Sequence, residues 1–580
     1  MLDIQKTILE KYPDFPSKPG GKKLIQFLQK LTYEKEINQF IEENQHLRGF
    51  AFLDKCLNHF NFSYQVNHRA LDAIPSEGRV IMVANHPIGS LDGLALLKMI
   101  RSIRPDVRIV ANELLSHVEP FQSLFLSVDN MSSKANHKAH FKAMIAALEN
   151  EEAVIIFPAG EVSRIRPNGV RDSQWKHGFL KLAKKTQSPI LPIYIDARNS
   201  ILFYGLSTLY KPLGTLMLVQ EMFNKKNQQV AFHVGALVPW KSLADCNWPY
   251  PKMAKYFRKH IYRLNDPQVA AENFVFKTEN TLAHPVNRTA LKKDLKNGEL
   301  LGETADGKKI FLFDYEADSA VMQEIGRLRE LTFRTVEEGT GDAFDLDKYD
   351  ASYRHLVLWD EEDLEIVGAY RLGDCRKIVE EKGLSGLYTS TLFTLKPEMT
   401  PYLNNALELG RSFVQPRYWG KRSLDYLWYG IGAYVNRHPE TTYLFGPVSL
   451  SDAFPTRAKE LIVAFFQTQM GSKQDLAIGK RPFIPSPEIK AIAEQDFDED
   501  YNTSYKKLNI LLSEEGVKVP TLFKQYADLC EPGGCRFIDF SVDPDFNDCI
   551  DSLILIEIDK IKPKKQARYL KNNATTLKTA

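Results

Sequence analysis

Apolar residues first recur at helical spacing, in Leu24-Ile-Gln-Phe-Leu-Gln-Lys-Leu31 and Ile37-Asn-Gln-Phe-Ile41. These strings lie in a stretch from Leu2 to Phe62 that is broken at Pro13, Pro16 and Pro19-Gly-Gly21. The spacing predicts an amphipathic helical segment over residues 1–70, whose apolar faces cover a core or lie on a membrane surface. Beyond it the period shortens. The runs Val80–Ala84, Val107–Ala111, Val154–Phe157, Ile190–Ile195 and Val230–Val234 alternate with helical stretches. That predicts an α/β sheet domain over residues 71–270, with strands buried between helices. From about Asn265 to Asn297 the apolar rhythm weakens and Pro267 and Pro285 intervene, which places a boundary there. A second domain is expected over residues 285–580. It shows a helix at Met322–Leu331, strands at Arg354–Trp359, Ile366–Leu372 and Ala406–Val414, a basic loop and a helix at Leu424–Val435. Its class is mixed-sheet α+β, and no internal repeat is visible.

Size and charge narrow the function without assigning it. A chain of 580 residues needs at least two cores, and a net charge of +2 with 44% hydrophobic residues argues against disorder and against a nucleic-acid partner. Charges are scattered through Met1–Pro13, and no run reaches the roughly 18 apolar residues that span a bilayer. The expected location is cytoplasmic. Of six cysteines only Cys530 and Cys535 lie close, and no further ligands stand at zinc-site spacing. They read as ordinary thiols near a turn, and no metal is expected. The lysine-rich end from Lys560 to Lys578 reads as a solvated tail.

Two strings carry chemistry in the first domain, Asn85-His-Pro-Ile-Gly-Ser-Leu-Asp92 and Phe157-Pro-Ala-Gly-Glu-Val-Ser-Arg164. The first follows a buried strand, so a loop would present the imidazole of His86 with Asp92 near enough to orient it. Taken alone, the pair is better read as a structural histidine beside a helix cap. The second string ends a strand in a Pro/Gly turn and sets Glu161 and Arg164 at the carboxyl edge of the sheet, where α/β ligands bind. Together the strings point to acyl transfer, with His86 as base for a substrate hydroxyl.

Over residues 70–240 these blocks, with Leu191-Pro192-Ile193 as a third, resemble the glycerolipid acyltransferase family. The resemblance implies His86 as base, Asp92 as its partner, and Glu161 and Arg164 as acceptor-positioning residues. Two departures stand out. Five residues, Pro87 to Leu91, separate histidine and aspartate where the family has four, and Ala159 stands where the family has glutamate. Glu161 then substitutes through a shifted turn, as in the ornithine-lipid branch, and the acceptor need not be glycerol phosphate. Arg164, Arg166, Arg171, Lys176, Lys181, Lys184 and Lys185 form a positive run, read as a solvated face or as contact with an acidic carrier or anionic lipid.

Downstream, four blocks occur in order: Leu331–Arg334, Glu337–Asp350, Gly368–Leu372 and Glu408–Phe413. A carboxylate-rich loop between helix and strand suits an amine, with Glu337, Asp342, Asp345 and Asp347 able to hold ammonium groups. By itself it would be a solvated acidic loop. Over residues 285–460 the blocks look like the N-acyltransferase side of the GNAT fold, close to ornithine N-acyltransferases and more distantly to acyl-homoserine lactone synthases. That resemblance implies substrate-binding roles for Arg371 and Arg411, and pantetheine pairing along Glu408–Val414. It also implies a phosphate site at the next helix start, by Arg417-Tyr-Trp-Gly420-Lys421-Arg422. Arg422 stands where the usual phosphate loop has a small residue. This favours an acyl carrier protein over coenzyme A, with Arg417, Lys421 and Arg422 facing its acidic surface or simply solvated. Glu408 either accepts the amine proton or pairs with Arg411 for structure. His355, among apolar neighbours, reads as packed.

The two halves together resemble bifunctional ornithine-lipid synthases. That implies N-acylation of an amino acid by a 3-hydroxyacyl group from acyl carrier protein, followed by O-acylation of the new hydroxyl. Ornithine is implied by the resemblance alone. Glycine or another amine, an acyl-homoserine lactone (disfavoured, since it needs no O-acylation), and a catalytically decayed membrane or carrier scaffold are the alternatives. No bound cofactor is expected, the acyl-carrier thioester being a co-substrate. The expected partners are the carrier protein, the amino acid and a membrane lipid surface, with peripheral association at the inner membrane.

Overall fold

The computed structural model describes residues 25–571 apart from 27–28, 31–32, 113–117, 129–133, 168, 210, 267, 269–273 and 499. The breaks at Pro13, Pro16 and Pro19, much of Leu24–Leu31, Pro267 and the end of the lysine-rich tail lie outside these residues. Two compact units divide between His284 and Pro285.

In the first unit, α1 (Glu34–Glu43) and α2 (Gly49–His59) lead into β1 (Ser63–Val66). Phe52, Leu53 and Leu57 of α2 are buried in the core, so this helix covers the sheet rather than lying on a membrane. Residues 63–66 also depart from the helical expectation, because β1 pairs parallel with β9 (Gln229–Val234). The remaining strands are β2 (Val80–Ala84), β3 (Val107–Asn112), β4 (Phe125–Val128), β5 (Ala153–Ile156) and β8 (Ile190–Asp196), with a side hairpin of β6 (Arg164–Arg166) and β7 (Gly169–Arg171). The sheet order is β1-β9-β8-β2-β5-β3-β4, and only β8 and β9 run antiparallel.

All five residues of β2 are buried because both sheet faces are covered. Val80, Met82 and Ala84 join one core with α2 and with α3 (Ser90–Arg101), while Ile81 and Val83 join the other, which includes Phe179 and Leu182 of α4 (Gly178–Thr186). Val83 lies opposite Ile156 and Ala84 opposite Ile193, so β2, β5 and β8 deliver their following residues to one edge. Two further helices, α5 (Ile201–Leu209) and α6 (Lys211–Asn224), follow β8.

The second unit is built on an eight-stranded sheet in the order β10-β11-β12-β13-β15-β16-β19-β18. Its strands are β10 (Glu299–Glu303), β11 (Lys309–Asp314), β12 (Arg354–Asp360), β13 (Glu365–Asp374), β15 (Ala406–Val414), β16 (Tyr443–Leu450), β18 (Cys535–Asp543) and β19 (Cys549–Glu557). β14 (Phe393–Leu395) and β17 (Ala477–Gly479) form a separate pair. The helices α7 (Ala320–Thr335), α8 (Ser423–Arg437) and α9 (Thr456–Met470) pack on the large sheet. Every neighbouring pair in that sheet is antiparallel except β15 and β16.

That exception shapes the site. β15 and β16 pair only over Ala406↔Tyr443, Leu407↔Leu444 and Glu408↔Phe445, and then part. Where they part, Gly446 takes φ 152°, and a Cβ there would lie 2.1 Å from the Leu409 carbonyl oxygen. On the opposite edge of β15 the register against β13 shifts between Ala369 and Arg371, and Arg411 is held at φ 47°. A left-handed arginine inside a strand is a bulge that re-aims its side chain.

Candidate active sites

The short loop after β2 places His86 at the sheet edge, and α3 begins at Ser90 with Gly89 at φ 105° before it. Asp92 sits in the first turn of α3. One of its oxygens accepts the N–H groups of Ile88 (3.0 Å) and Gly89 (3.3 Å), which caps the helix. Its other oxygen lies 3.2 Å from Nδ1 of His86 and accepts the Gly93 N–H at 2.7 Å. Asp92 is therefore both the cap and the histidine partner. The extra residue between His86 and Asp92 does not separate them.

Phe157, one residue beyond β5, stacks on the His86 ring with centroids 4.1 Å apart and planes 19° from parallel. The His86 side chain is 21% exposed, and its Nε2 makes no hydrogen bond among the described residues. The main chain of His86 is clamped as well. Its carbonyl accepts from Ser163 N at 2.7 Å, and its N–H donates to Asp172 at 3.3 Å. Asp172 is fully buried and also accepts from Ser163 Oγ (2.5 Å) and Trp175 Nε1 (2.9 Å). Burial pushes the Asp172 carboxyl up against the pull of these donors. Burial also disfavours the charged form of His86, but Asp92 and then Asp172 outweigh it and raise its pKa above the ordinary value.

Glu161 and Arg164 stand together at the same edge, Arg164 Nε lying 3.5 Å from Glu161 Oε2. The turn before them needs glycine, since Gly160 has φ 67° and faces the Lys176 ammonium. Ala159 is buried, so a carboxylate in the family position would face the core. Of the positive run, Arg171 lies over the Tyr262 ring, while Lys181, Lys184 and Lys185 are exposed on α4.

In the second unit the acidic loop divides in two. Glu337 and Asp342 are exposed, and their carbonyls accept from Asn547 and Arg334. Asp345 and Asp347 turn inward to Arg411, at 3.1 and 3.3 Å, and Asp347 also receives Arg371 at 2.7 Å. Asp350 joins Arg371 to the fully buried Arg329, at 3.3 and 2.8 Å. Three aspartates thus balance three arginines. His355 is buried against Arg329, and burial with that charge pulls its pKa down to about 3. It is packed, as its neighbours in sequence indicated.

Glu408 does not pair with Arg411. It is buried, accepting from Thr389 N (2.7 Å), Thr389 Oγ1 (2.6 Å) and the Tyr353 hydroxyl. Arg411 instead donates to the Tyr388 hydroxyl at 2.9 Å and lies over the Tyr388 and Phe546 rings. Further along the gap between β15 and β16, Ser449 donates to Glu338 at 2.9 Å and pairs in register with Asp551. Burial pushes Glu338 up to about 7 and raises Asp543 and Asp551 as well. Sequence reasoning assigned no role to Glu338, Asp543 or Asp551. Asp543 and Asp551 lie in the stretch after Pro455, whose pairing with β16 no local motif announces.

Around the start of α8, Gly420 has φ 73° and no side chain caps the helix. Arg417 is paired with Asp363 (2.6 Å) and Glu365 (2.7 Å), and Arg422 with Asp425 (3.3 Å). Lys421 lies over the Tyr418 ring. The basic loop is thus partly neutralised by its own acids.

Residues 6–267 match a family described as Acyltransferase, and residues 328–429 one described as Acetyltransferase (GNAT) domain. Glycine N(alpha)-acyltransferase of Phocaeicola vulgatus is 30% identical over 302 residues, covering 50% of this chain and 92% of its own length. The chain belongs to the glycine/ornithine-lipid acyltransferase family. Another relative, Lyso-glycine lipid O-acyltransferase of Bacteroides thetaiotaomicron, is 29% identical over 272 residues, 46% of this chain and 97% of that one. L-ornithine N(alpha)-acyltransferase of Brucella abortus is 32% identical over 173 residues, 25% of this chain and 60% of that one. With an acyltransferase unit and a GNAT-type unit in one chain, this member of the family is an enzyme of acyl transfer.

Proposed function

We propose that the second unit acylates the amino group of glycine with a 3-hydroxyacyl chain, and that the first unit then esterifies the new hydroxyl at His86. The observation that carries this reading is the His86–Asp92 pair, its imidazole partly exposed, on a loop at the carboxyl ends of the parallel strands β2, β5 and β8. His86 Nε2 takes the proton as the lipid hydroxyl attacks the thioester carbonyl. Asp92 fixes the tautomer and stabilises the imidazolium. The C–O bond forms, the C–S bond breaks, and the departing thiolate recovers the proton from the ring. Glu161 and Arg164 position the acceptor.

In the second unit the parted strands β15 and β16 leave backbone edges for an extended pantetheine arm, and the phosphate sits at the start of α8. The neutral amine attacks, the C–N bond forms, the C–S bond breaks, and the amine proton passes to an ionised carboxylate of the group Glu338, Asp543 and Asp551 and from it to the departing thiolate, which leaves as the free thiol. Glu408, already holding Thr389 and Tyr353, is a positioning group. Acyl carrier protein is the donor we favour, and peripheral contact with the cytoplasmic face of the inner membrane follows from a lipid product.

Glycine is preferred to ornithine on two grounds. Relatives named for glycine or lyso-glycine lipid match over 92% and 97% of their length, the Brucella ornithine enzyme over 60%. Moreover, Asp345 and Asp347, the carboxylates expected to hold a second ammonium, are already neutralised by Arg371 and Arg411. Expression in a bacterium lacking aminolipids, with isotope-labelled glycine or ornithine supplied, tests both points by mass spectrometry. Label from glycine should enter a diacyl lipid, and His86→Ala should stop at the mono-acyl product. Label from ornithine alone overturns the amine assignment, and a normal diacyl lipid in His86→Ala overturns the site.

A further inference from the structure

Among the described residues of the first unit, few large apolar side chains are left in water, and three of them share one place. Ile165 is 55% exposed, Ile201 91% and Leu202 62%. Ile165 faces Val170 across the β6–β7 hairpin, and Val170 packs on a small cluster with Phe203 and Tyr204 of α5 and Met217 of α6. Residues opposite each other in an antiparallel pair share a face, so Ile165 extends that cluster outward beside Ile201 and Leu202. The sequence from Ile201 to Val219 carries one charged residue, Lys211.

This patch abuts the His86 loop. A Cβ at Gly89 would lie 3.6 Å from Leu218 of α6 and 3.7 Å from Val162, the residue before Ser163. Two exposed arginines flank it, Arg166 next to Ile165 and Arg198 just ahead of α5, and neither has an ion-pair partner among the described residues. Exposed aliphatic residues bordered by unpaired arginines match a surface that is apolar inside and anionic at its headgroups. No helix among the described residues is long and apolar enough to cross a membrane, so contact of this kind lies in the interface.

We propose that Ile165, Ile201 and Leu202 form the face by which the first unit docks on a bilayer containing anionic lipid, setting the His86 loop against the membrane that holds its lipid acceptor. The inference rests on the reading of His86 as a lipid O-acylation site. Docking places the acceptor hydroxyl at His86 while its alkyl chain stays among the lipids.

Sedimentation of the full chain with vesicles of phosphatidylethanolamine and a minority of phosphatidylglycerol tests it. The double variant Ile201→Asp, Leu202→Asp and the single variant Ile165→Asp alter exposed positions and should keep the parent's circular dichroism. Each is expected to bind these vesicles about tenfold or more weakly, while O-acylating lyso-lipid in detergent micelles at the parental rate. Parental vesicle binding by both variants overturns the surface, as does a parent that does not sediment with vesicles. Loss of carrier-protein binding with vesicle binding intact also overturns it, assigning the patch to a protein. Sedimentation needs no turnover. Its failure therefore leaves the His86 reading standing, whereas absent O-acylation in micelles with binding intact sinks that reading alone.

Discussion

The backbone N–H of Ser163 donates to the carbonyl of His86 at 2.7 Å, tying the chain after β5 to the loop after β2. Asp172 completes the tie, accepting from the His86 N–H and the Ser163 hydroxyl. The charged groups that raise the His86 pKa are Asp92 and Asp172, working against burial. His86 must be neutral to take a proton, so O-acyl transfer should fall as pH drops through a value above the ordinary 6.5. Asp172→Asn keeps the shape and removes one charge, so the acid limb of kcat/KM should move to lower pH. A profile that only drops in height, with its limb in place, would make Asp172 a purely structural residue.

Asp92 has two roles that one variant can separate. Asp92→Asn keeps an oxygen for the Ile88 and Gly89 N–H groups, but offers His86 an amide donor that selects the wrong tautomer. Turnover of lyso-lipid is expected to fall by about 10³- to 10⁴-fold, with a stability change of only about 1 kcal/mol. Asp92→Ala should add loss of the cap. Near-parental turnover in Asp92→Asn would reduce Asp92 to a capping residue.

How far the sequence announces these sites depends on how local their causes are. β2 and β15 form where the apolar runs predict, because a short apolar run bounded by loop residues has few other stable fates. The His86 and Asp92 pair is legible for the same reason, lying within one turn of chain. Asp172 is not, since nothing in Arg171-Asp-Ser-Gln-Trp175 indicates that its aspartate will lie beneath His86. β1 was hidden in a helical stretch because its partner β9 lies far along the chain. Asp551 is harder still. It acquires its place only when β19 pairs with β16, more than a hundred residues earlier in the chain. The partners of the acidic loop are hidden for a topological reason: Asp345 and Asp347 meet arginines that come from two distant strands.

Gly446 provides a test of the strand gap. A Cβ there would meet the Leu409 carbonyl oxygen at 2.1 Å, so Gly446→Ala must push β15 and β16 further apart or shift their register. Loss of N-acyl transfer is expected, together with destabilisation of about 1–3 kcal/mol. O-acylation of supplied mono-acyl amino acid should persist in the same full chain. Equal loss of both reactions would show that the effect is global unfolding rather than a change in the gap.

Glu338 gives a stability prediction with a definite sign. Its carboxyl is pushed up from 4.5 to about 7, chiefly by burial, with Asp543 adding to the effect and Ser449 opposing it. The folded state therefore holds this proton more tightly than the unfolded state does. The contribution is fully present below about pH 4.5 and is lost as pH rises through about 7, a difference of about 3 kcal/mol across the window. Glu338→Gln cannot ionise and keeps an oxygen for Ser449. The variant should match the parent near pH 4 and exceed it in stability near pH 8, by up to about 3 kcal/mol. Denaturant midpoints of the second unit's transition, taken across this range, provide the measurement. Parallel curves for variant and parent would mean that Glu338 ionises freely in the folded protein, and would remove it from the groups poised to receive an amine proton.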